Sequence, residues 1–156
     1  MKILVVSDLH RRKSNFERVL EKHEDIINVI FLGDGVKDAE EISGFFAQKR
    51  FFLLSGNCDF LSLLPSSKII TLAGVDILAT HGHTYGVKNG TERLYEAAKI
   101  RGVKLALYGH THIPKIEYKD GIYMVCPGAL GNSSEGPTYA IIDLDEKGIM
   151  PNILKL

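Results

Sequence analysis

Four of the chain's six histidines lie in two short stretches of like spacing, His81 and His83 in "THGHTYG" and His110 and His112 in "LYGHTHIP". Imidazole is both a common metal ligand and a proton carrier near neutral pH. Two such pairs in a chain so sparing of histidine indicate that imidazoles are being gathered. Other stretches add oxygen donors: the carboxylate of Asp8, with His10, in "SDLH", that of Asp34 in "LGD", and the amide of Asn57 in "GNCD". Oxygen and nitrogen donors without thiolates suit Mn²⁺, Fe²⁺, Zn²⁺, Co²⁺ or Ni²⁺ better than the all-oxygen cage of Ca²⁺. Asp8, His10, Asp34, Asn57, His81, His110 and His112 are too many for one ordinary ion. A bridging carboxylate would divide them between two. Two ions about 3.5 to 4 Å apart can bind phosphate oxygens, lower the pKa of a shared water and aim the hydroxide at phosphorus. Hydrolysis of a phosphate ester is the natural chemistry of such a centre.

Taken singly, each residue has a plainer reading. Asp8 would be a turn or cap residue, Asp34 a turn marker, Asn57 ordinary loop chemistry, and His81 and His110 satisfied structural histidines. Their joint placement carries the functional reading.

That placement follows from the elements around them. Short apolar runs predict buried strands at "KILVV" (2 to 6), "VIFL" (29 to 32), "FFLLS" (51 to 55), "KIITL" (68 to 72) and "VDILAT" (75 to 80). Ser14 is expected to cap a first helix, with Glu17 completing a capping box and Phe16, Val19 and Leu20 on its apolar face. A second helix is expected from about Asp38 to Gln48, so both helices join strands in β-α-β fashion. "KIITL" and "VDILAT", separated by Ala73-Gly74, read as a hairpin, which excludes a purely parallel sheet. Thr91 to Arg101 predicts a third helix stopped by Gly102, followed by the strand "KLALYG". The remaining third reads as strands: "PKIEY", a turn at Lys119-Asp120-Gly121, "IYMVC", then "TYAIIDL" and "MPNILKL" around Glu146-Lys147-Gly148. These imply a second sheet. On this map the donors follow the C-terminal ends of successive strands, the edge where ligands bind in open α/β sheets.

The 156 residues suit one domain spanning 1–156. Lysine plus arginine equal aspartate plus glutamate at 19 each, without a long block of either sign. This balance argues against a general nucleic-acid or anionic-membrane binder and leaves nucleic acid only as a substrate. The opening apolar run is too short for a signal-peptide core or a membrane span, so a cytoplasmic protein is expected. Cys58 and Cys126 are too few for a disulfide scaffold. The apolar "ISGFF" (42 to 46) is expected in the core rather than in an interface, and "PGALGNSSEGP" (127 to 137) as an active-site or surface loop.

The five blocks "SDLH", "LGD", "GNCD", "THGH" and "GHTH" stand in the order found in calcineurin-like metallophosphoesterases. The chain most resembles the small bacterial and archaeal phosphodiesterase branch that also includes the retromer subunit Vps29. One such block would be weak; five in order, over nearly the whole chain, are specific. The resemblance implies an α/β fold in which two mixed β-sheets form a sandwich flanked by helices, in four layers. It implies that Asp8, His10 and His112 hold a first metal ion, that Asn57, His81 and His110 hold a second, and that Asp34 bridges them. The implied cofactors are two divalent ions, Mn²⁺ foremost, with Ni²⁺, Co²⁺, Fe²⁺ or Zn²⁺ as alternatives. The implied protein is a metal-dependent phosphodiesterase acting on a small-molecule phosphodiester, without a membrane partner and with homo-oligomerisation open. A hydroxide activated by the di-metal centre attacks phosphorus while Asn57 and His81 help stabilise the charge on its oxygens. The rival is a weakly active or inactive metal-binding interaction scaffold of the Vps29 type, against which stands the presence of all seven ligand positions.

Three departures from the family pattern matter. Cys58 stands where many superfamily enzymes have the histidine that helps protonate the leaving group, a role a thiol does not take by analogy. His83 or a metal-bound water is the substitute. Cys126 stands where the branch usually has asparagine before Pro-Gly. "RRK" follows His10 where glycine is common, so Arg11 or Arg12 either binds substrate phosphate or forms a solvated basic turn. Asp59 is either a residue that orients a ligand or a loop acid, and His83 either faces the pocket or packs beside it. His23, within "EKHED", is expected on a solvated helix surface.

Overall fold

The computed structural model describes residues 1–145 and 147–156. Strand β1 (Lys2–Val6) runs parallel to β2 (Asn28–Phe31), and β2 parallel to β3 (Arg50–Leu53). Helices α1 (Lys13–Lys22) and α2 (Val36–Ser43) make the two crossovers. Strand β4 (Ser67–Leu72) pairs antiparallel with β5 (Val75–Thr80), as the Ala73-Gly74 hairpin requires. After α3 (Glu92–Ile100) come β6 (Leu105–Leu107), β7 (Lys115–Lys119), β8 (Ile122–Cys126), β9 (Thr138–Asp145) and β10 (Gly148–Lys155). The strands form two mixed five-stranded sheets, ordered β10-β9-β1-β2-β3 and β4-β5-β6-β8-β7.

Alternation along the strands explains why these sheets stack and why helices cover them. In β1, Ile3 and Val5 point into the space between the sheets and meet Ile77, Leu105, Leu107 and Val125. The alternate residues Leu4 and Val6 meet Phe16, Val19 and Leu20 of α1 and Ala39 and Ile42 of α2. The second sheet repeats the arrangement, with Leu78, Ala106 and Met124 on its outer face against Leu94, Tyr95 and Ala98 of α3. Strands buried on both faces read as continuous apolar runs, which is how they were recognised. The result is the four-layer helix–sheet–sheet–helix sandwich that the resemblance implied.

Several local expectations are corrected. Helix α1 is preceded by Arg12 at its cap position, with no side-chain capping bond, and Ser14 lies inside its first turn. The preceding loop fixes that start, because Arg11 has a left-handed backbone (φ 68°) and the Arg12 N–H donates to the Leu9 carbonyl. Helix α2 begins earlier than expected and stops at Ser43, where Gly44 leads into a turn rather than on to Gln48. Within "ISGFF", Ile42 is buried and Phe46 packs on the core, but Phe45 is 76% exposed. His23 does not lie on a solvated surface: half-buried at the end of α1, its Nε2 is 2.9 Å from the Tyr139 hydroxyl. Strands β9 and β10 form the expected hairpin, although Glu146 of its turn lies outside the described residues. Among the described residues, no helix is long and apolar enough to cross a membrane.

Candidate metal centre

The loops leaving β1, β2, β3, β5 and β6 meet at one edge of the sandwich, and backbone bonds tie them together. The N–H groups of Asp8 and Leu9 donate to the carbonyls of Gly33 and Asp34, and the Gly109 N–H donates to the His81 carbonyl. The loop after β8 closes the frame, with Leu130 N–H on the Ser7 carbonyl and Gly131 N–H on that of Asp8. This is the "PGALGNSSEGP" stretch, and its role is to brace the ligand loops.

Two of the motif glycines are there for room. A Cβ on Gly109 would stand 2.0 Å from Ser7 Oγ, and one on Gly56 would stand 2.1 Å from Asp34 Oδ1. Five of the seven expected ligands have left-handed backbones, with φ of 56° at Asp8, 41° at His10, 60° at Asp34, 69° at His110 and 60° at His112. Such conformations cost about 1–3 kcal/mol each in non-glycine residues and cluster at functional sites. Here they turn side chains from separate strands towards one point.

Around that point the donors fall into two sets. In the first, Asp8, His10 and His112 present ligand atoms within 4.8 Å of one another. His112 Nε2 is 3.1 Å from Asp8 Oδ1 and 3.1 Å from His10 Nε2. Asp8 is buried, and its Oδ2 accepts from the Ser7 hydroxyl at 2.5 Å and the His110 N–H at 3.1 Å. Its other oxygen, Oδ1, is buried without a hydrogen-bond partner. A buried carboxylate oxygen left unpaired is costly. Ligand atoms bonded to one ion at about 2.0–2.2 Å sit about 3 to 3.6 Å apart, so this spacing and the orphaned oxygen both fit a shared cation. Burial alone would raise the Asp8 pKa, but the His10 and His112 imidazoles and the Ser7 hydroxyl hold it well below the usual carboxylate range. Asp8 in turn raises the pKa of His10.

The second set contains Asp34, His81 and His110, again within 4.8 Å of one another. Asn57 joins it, with Oδ1 3.0 Å from His81 Nε2. His81 is fully buried, and its Nδ1 lies 2.9 Å from the Leu32 carbonyl. A carbonyl can only accept, so Nδ1 carries the proton and the Nε2 lone pair faces the site. Burial lowers the His110 pKa to about 4, keeping its ring neutral, as a ligand must be. Asp34, a member of this set, also faces His10 of the first. Its Oδ1 accepts the Cys58 N–H at 2.8 Å, while Oδ2 lies 3.5 Å from His81 Nε2 and 3.9 Å from His10 Nε2.

The structure also places the residues whose reading was open. Asp59 accepts from the N–H groups of Asp34, Gly35, Val36 and Gly56, at 2.8 to 2.9 Å. It caps α2 and clamps the backbone of Asp34. His83 flanks the second set, its ring centroid 5.4 Å from that of His81 and 6.1 Å from that of His110. Its Nδ1 is buried without a partner, and burial lowers its pKa. Cys58 is exposed, within reach of His10 and Asp34, with its thiol pKa raised by burial of the sulfur and by Asp34. Arg11 lines a cavity of about 620 Å³ that opens on His10 and Asp34, whereas Arg12 lines a separate hollow beside Asn15 and Ser133. Cys126 is fully buried beside the Thr111 hydroxyl, 3.4 Å away. The Ser7 clamp and the Leu32 carbonyl were not found from sequence. Adjacency to Asp8 was the only hint of the first, and a backbone acceptor leaves none.

Known proteins share this arrangement of chain. Over 148 residues the sequence is 28% identical to a probable metallophosphoesterase, YsnB, of Bacillus subtilis, covering 93% of this chain and 85% of that one. It is 25% identical over 173 residues to the phosphodiesterase YfcE of Escherichia coli K12, covering 93% and 89%. A solved structure of a single-mutant Vps29 from Entamoeba histolytica superposes with a TM-score of 0.76 at 19% identity, over 100% of this chain and 99% of that one, and so shares the fold. The calcineurin-like phosphoesterase superfamily domain matches residues 1–147. With its sandwich fold and its converging carboxylates and imidazoles, the chain belongs to that superfamily of metal-binding hydrolases.

Proposed function

We propose that the protein is a metal-dependent phosphodiesterase with a two-ion centre, working as one domain over residues 1–156 in the cytoplasm on small phosphodiesters. The observation that carries this reading is Asp34 Oδ2, a single oxygen facing both donor sets at 3.5 and 3.9 Å. The name of the Escherichia coli relative, a phosphodiesterase, favours a diester over a monoester. Asp8, His10 and His112 would hold one ion, Asn57, His81 and His110 the other, and Asp34 both, with Mn²⁺ the first candidate and Ni²⁺, Co²⁺, Fe²⁺ or Zn²⁺ also suited to the donors. When bound, such a pair neutralises phosphate oxygens and makes water nucleophilic at neutral pH.

The chain's own residues supply the rest. Asp59 holds Asp34 in place through backbone bonds, and the Leu32 carbonyl fixes the tautomer of His81. Asn57 presents its amide oxygen beside His81 Nε2, so both would hold the same ion against the reacting phosphate. His83 stands beside the second donor set, and its imidazolium form, made scarcer at neutral pH by the pKa that burial lowers, would be the proton source for the leaving group. The raised pKa of Cys58 makes it a poor donor at neutral pH.

The test is the rate of hydrolysis of bis(p-nitrophenyl) phosphate by chelator-stripped protein, with and without Mn²⁺, compared with p-nitrophenyl phosphate. Mn²⁺-dependent turnover that is faster on the diester is expected. Stoichiometric metal uptake without turnover, repeated with the other candidate ions, would replace this reading with a Vps29-type scaffold.

A further inference from the structure

The segment following Asn57 exposes apolar side chains that core packing does not explain. Phe60 is 89% exposed, and Leu61 and Leu63 almost completely so. The segment is braced in this position: the Ser62 N–H donates to the Asp59 carbonyl, the Ser62 hydroxyl accepts the Leu64 N–H, and Ser55 Oγ donates to the Leu64 carbonyl. Its apolar side chains line a cavity of about 640 Å³ together with Val36 and Leu64. That cavity shares Lys37, Cys58, Asp59 and Phe60 with the cavity of about 620 Å³ that reaches His10 and Asp34. The apolar surface therefore continues from the metal centre, and volumes of this size take a small-molecule substituent.

Resting on the phosphodiesterase reading, we infer that the segment from Cys58 to Leu64 forms the binding site for one ester arm of the substrate, and that this arm is uncharged and apolar. Lys37 lies where the two cavities meet, suited to a phosphate oxygen on its way to the centre. In the inner cavity Arg11 offsets Asp38, but in the outer one, where the arm lies, Glu40 is left to disfavour a second anionic group once Lys37 engages the phosphate, which favours an uncharged arm. Phe60, Leu61 and Leu63 offer an aromatic face and branched alkyl groups, against which an aryl ring or an alkyl chain loses its contact with water.

The experiment uses esters with one common leaving group: the methyl, hexyl and phenyl esters of p-nitrophenyl phosphate, with Mn²⁺-loaded protein. A kcat/KM roughly tenfold higher for an apolar arm than for methyl is expected, which is the scale of discrimination an apolar pocket provides. In Phe60→Ser combined with Leu63→Ser the ratio should fall towards one, whereas Phe45→Ser, outside both cavities, should leave it unchanged. A phenyl preference identifies an aromatic arm and a hexyl preference an alkyl one. Equal rates for all three esters, or a ratio unmoved by the double substitution, would overturn the inference. Calorimetric binding of phenylphosphonate against methylphosphonate separates it from the reading beneath it. Preferential phenylphosphonate binding that the double substitution removes, without turnover, would keep the apolar site and discard the phosphodiesterase.

Discussion

The two donor sets are built differently. In the second, His81 is 0% and Asp34 3% exposed, and the His81 ring is locked on the Leu32 carbonyl. In the first, only Asp8 is buried: the side chains of His10 and His112 are 31% and 33% exposed and face one another at 3.1 Å. The second set thus has a buried core of His81 and Asp34, to which half-buried His110 and exposed Asn57 are added, while the first has one buried carboxylate and two half-exposed rings. Preorganisation is uneven across a few ångströms, and Asp34 Oδ2 lies between the two halves, facing His81 and His10.

Removing that joint should have the largest effect. In the proposed two-ion centre, Asp34→Asn takes away the charge on the oxygen that would face both ions, so both should be lost together and diester turnover should fall by roughly a thousandfold or more, read by metal stoichiometry and rate. Retention of full turnover would refute the shared role. Next comes the stability of the metal-free fold. His81→Ala leaves a cavity and an unpaired Leu32 carbonyl, for a cost of about 2–4 kcal/mol, whereas His10→Ala should cost under about 1 kcal/mol. Equal shifts in guanidinium denaturation would erase the contrast. Asp59→Asn touches neither ion directly but loosens Asp34, and a loss of about 10- to 100-fold in metal affinity is expected from titration.

The smallest effect is that of pH on metal-free protein. Burial lowers the pKa of His110 to about 4 and also lowers those of His83 and His23, from an ordinary 6.5. The unfolded chain takes up protons at these residues before the folded one does, so stability should fall as pH drops through 6.5. His10, raised mainly by Asp8, acts in the opposite sense: its contribution is present below 6.5 and lost as pH rises through its folded value. Three lowered residues oppose one raised, so the urea midpoint should be lower at pH 5 than at pH 7.5. A higher midpoint at pH 5 would mean that the Asp8–His10 pair of the open set dominates.

Much of this was legible because it is written in local pattern. "KILVV", "VDILAT" and "IYMVC" coincide with β1, β5 and β8, and each donor follows the strand end assigned to it. Asp59 shows the limit. Its partners at 34 to 36 lie more than twenty residues away, and nothing in "GNCD" distinguishes an acid that caps a distant helix from one in solvent. Capping was misread at Ser14 for a related reason. The loop after β1, held to the loop after β2 by the Asp8 and Leu9 N–H groups, sets where α1 begins, overriding the local box. The pairing of His23 with Tyr139 is invisible for the same cause, since contact across 116 residues is a property of the packed sheet.

The left-handed backbone at five candidate ligand positions limits which substitutions this lineage can accept. Glycine, asparagine and aspartate tolerate that conformation, while valine, isoleucine and threonine resist it. A descendant relieved of the need for metal would not drift freely at Asp8, His10, Asp34, His110 and His112. Selection for a foldable chain would still filter those sites towards small polar residues and glycine, so the outline of the loops would outlast the chemistry and remain open to other uses.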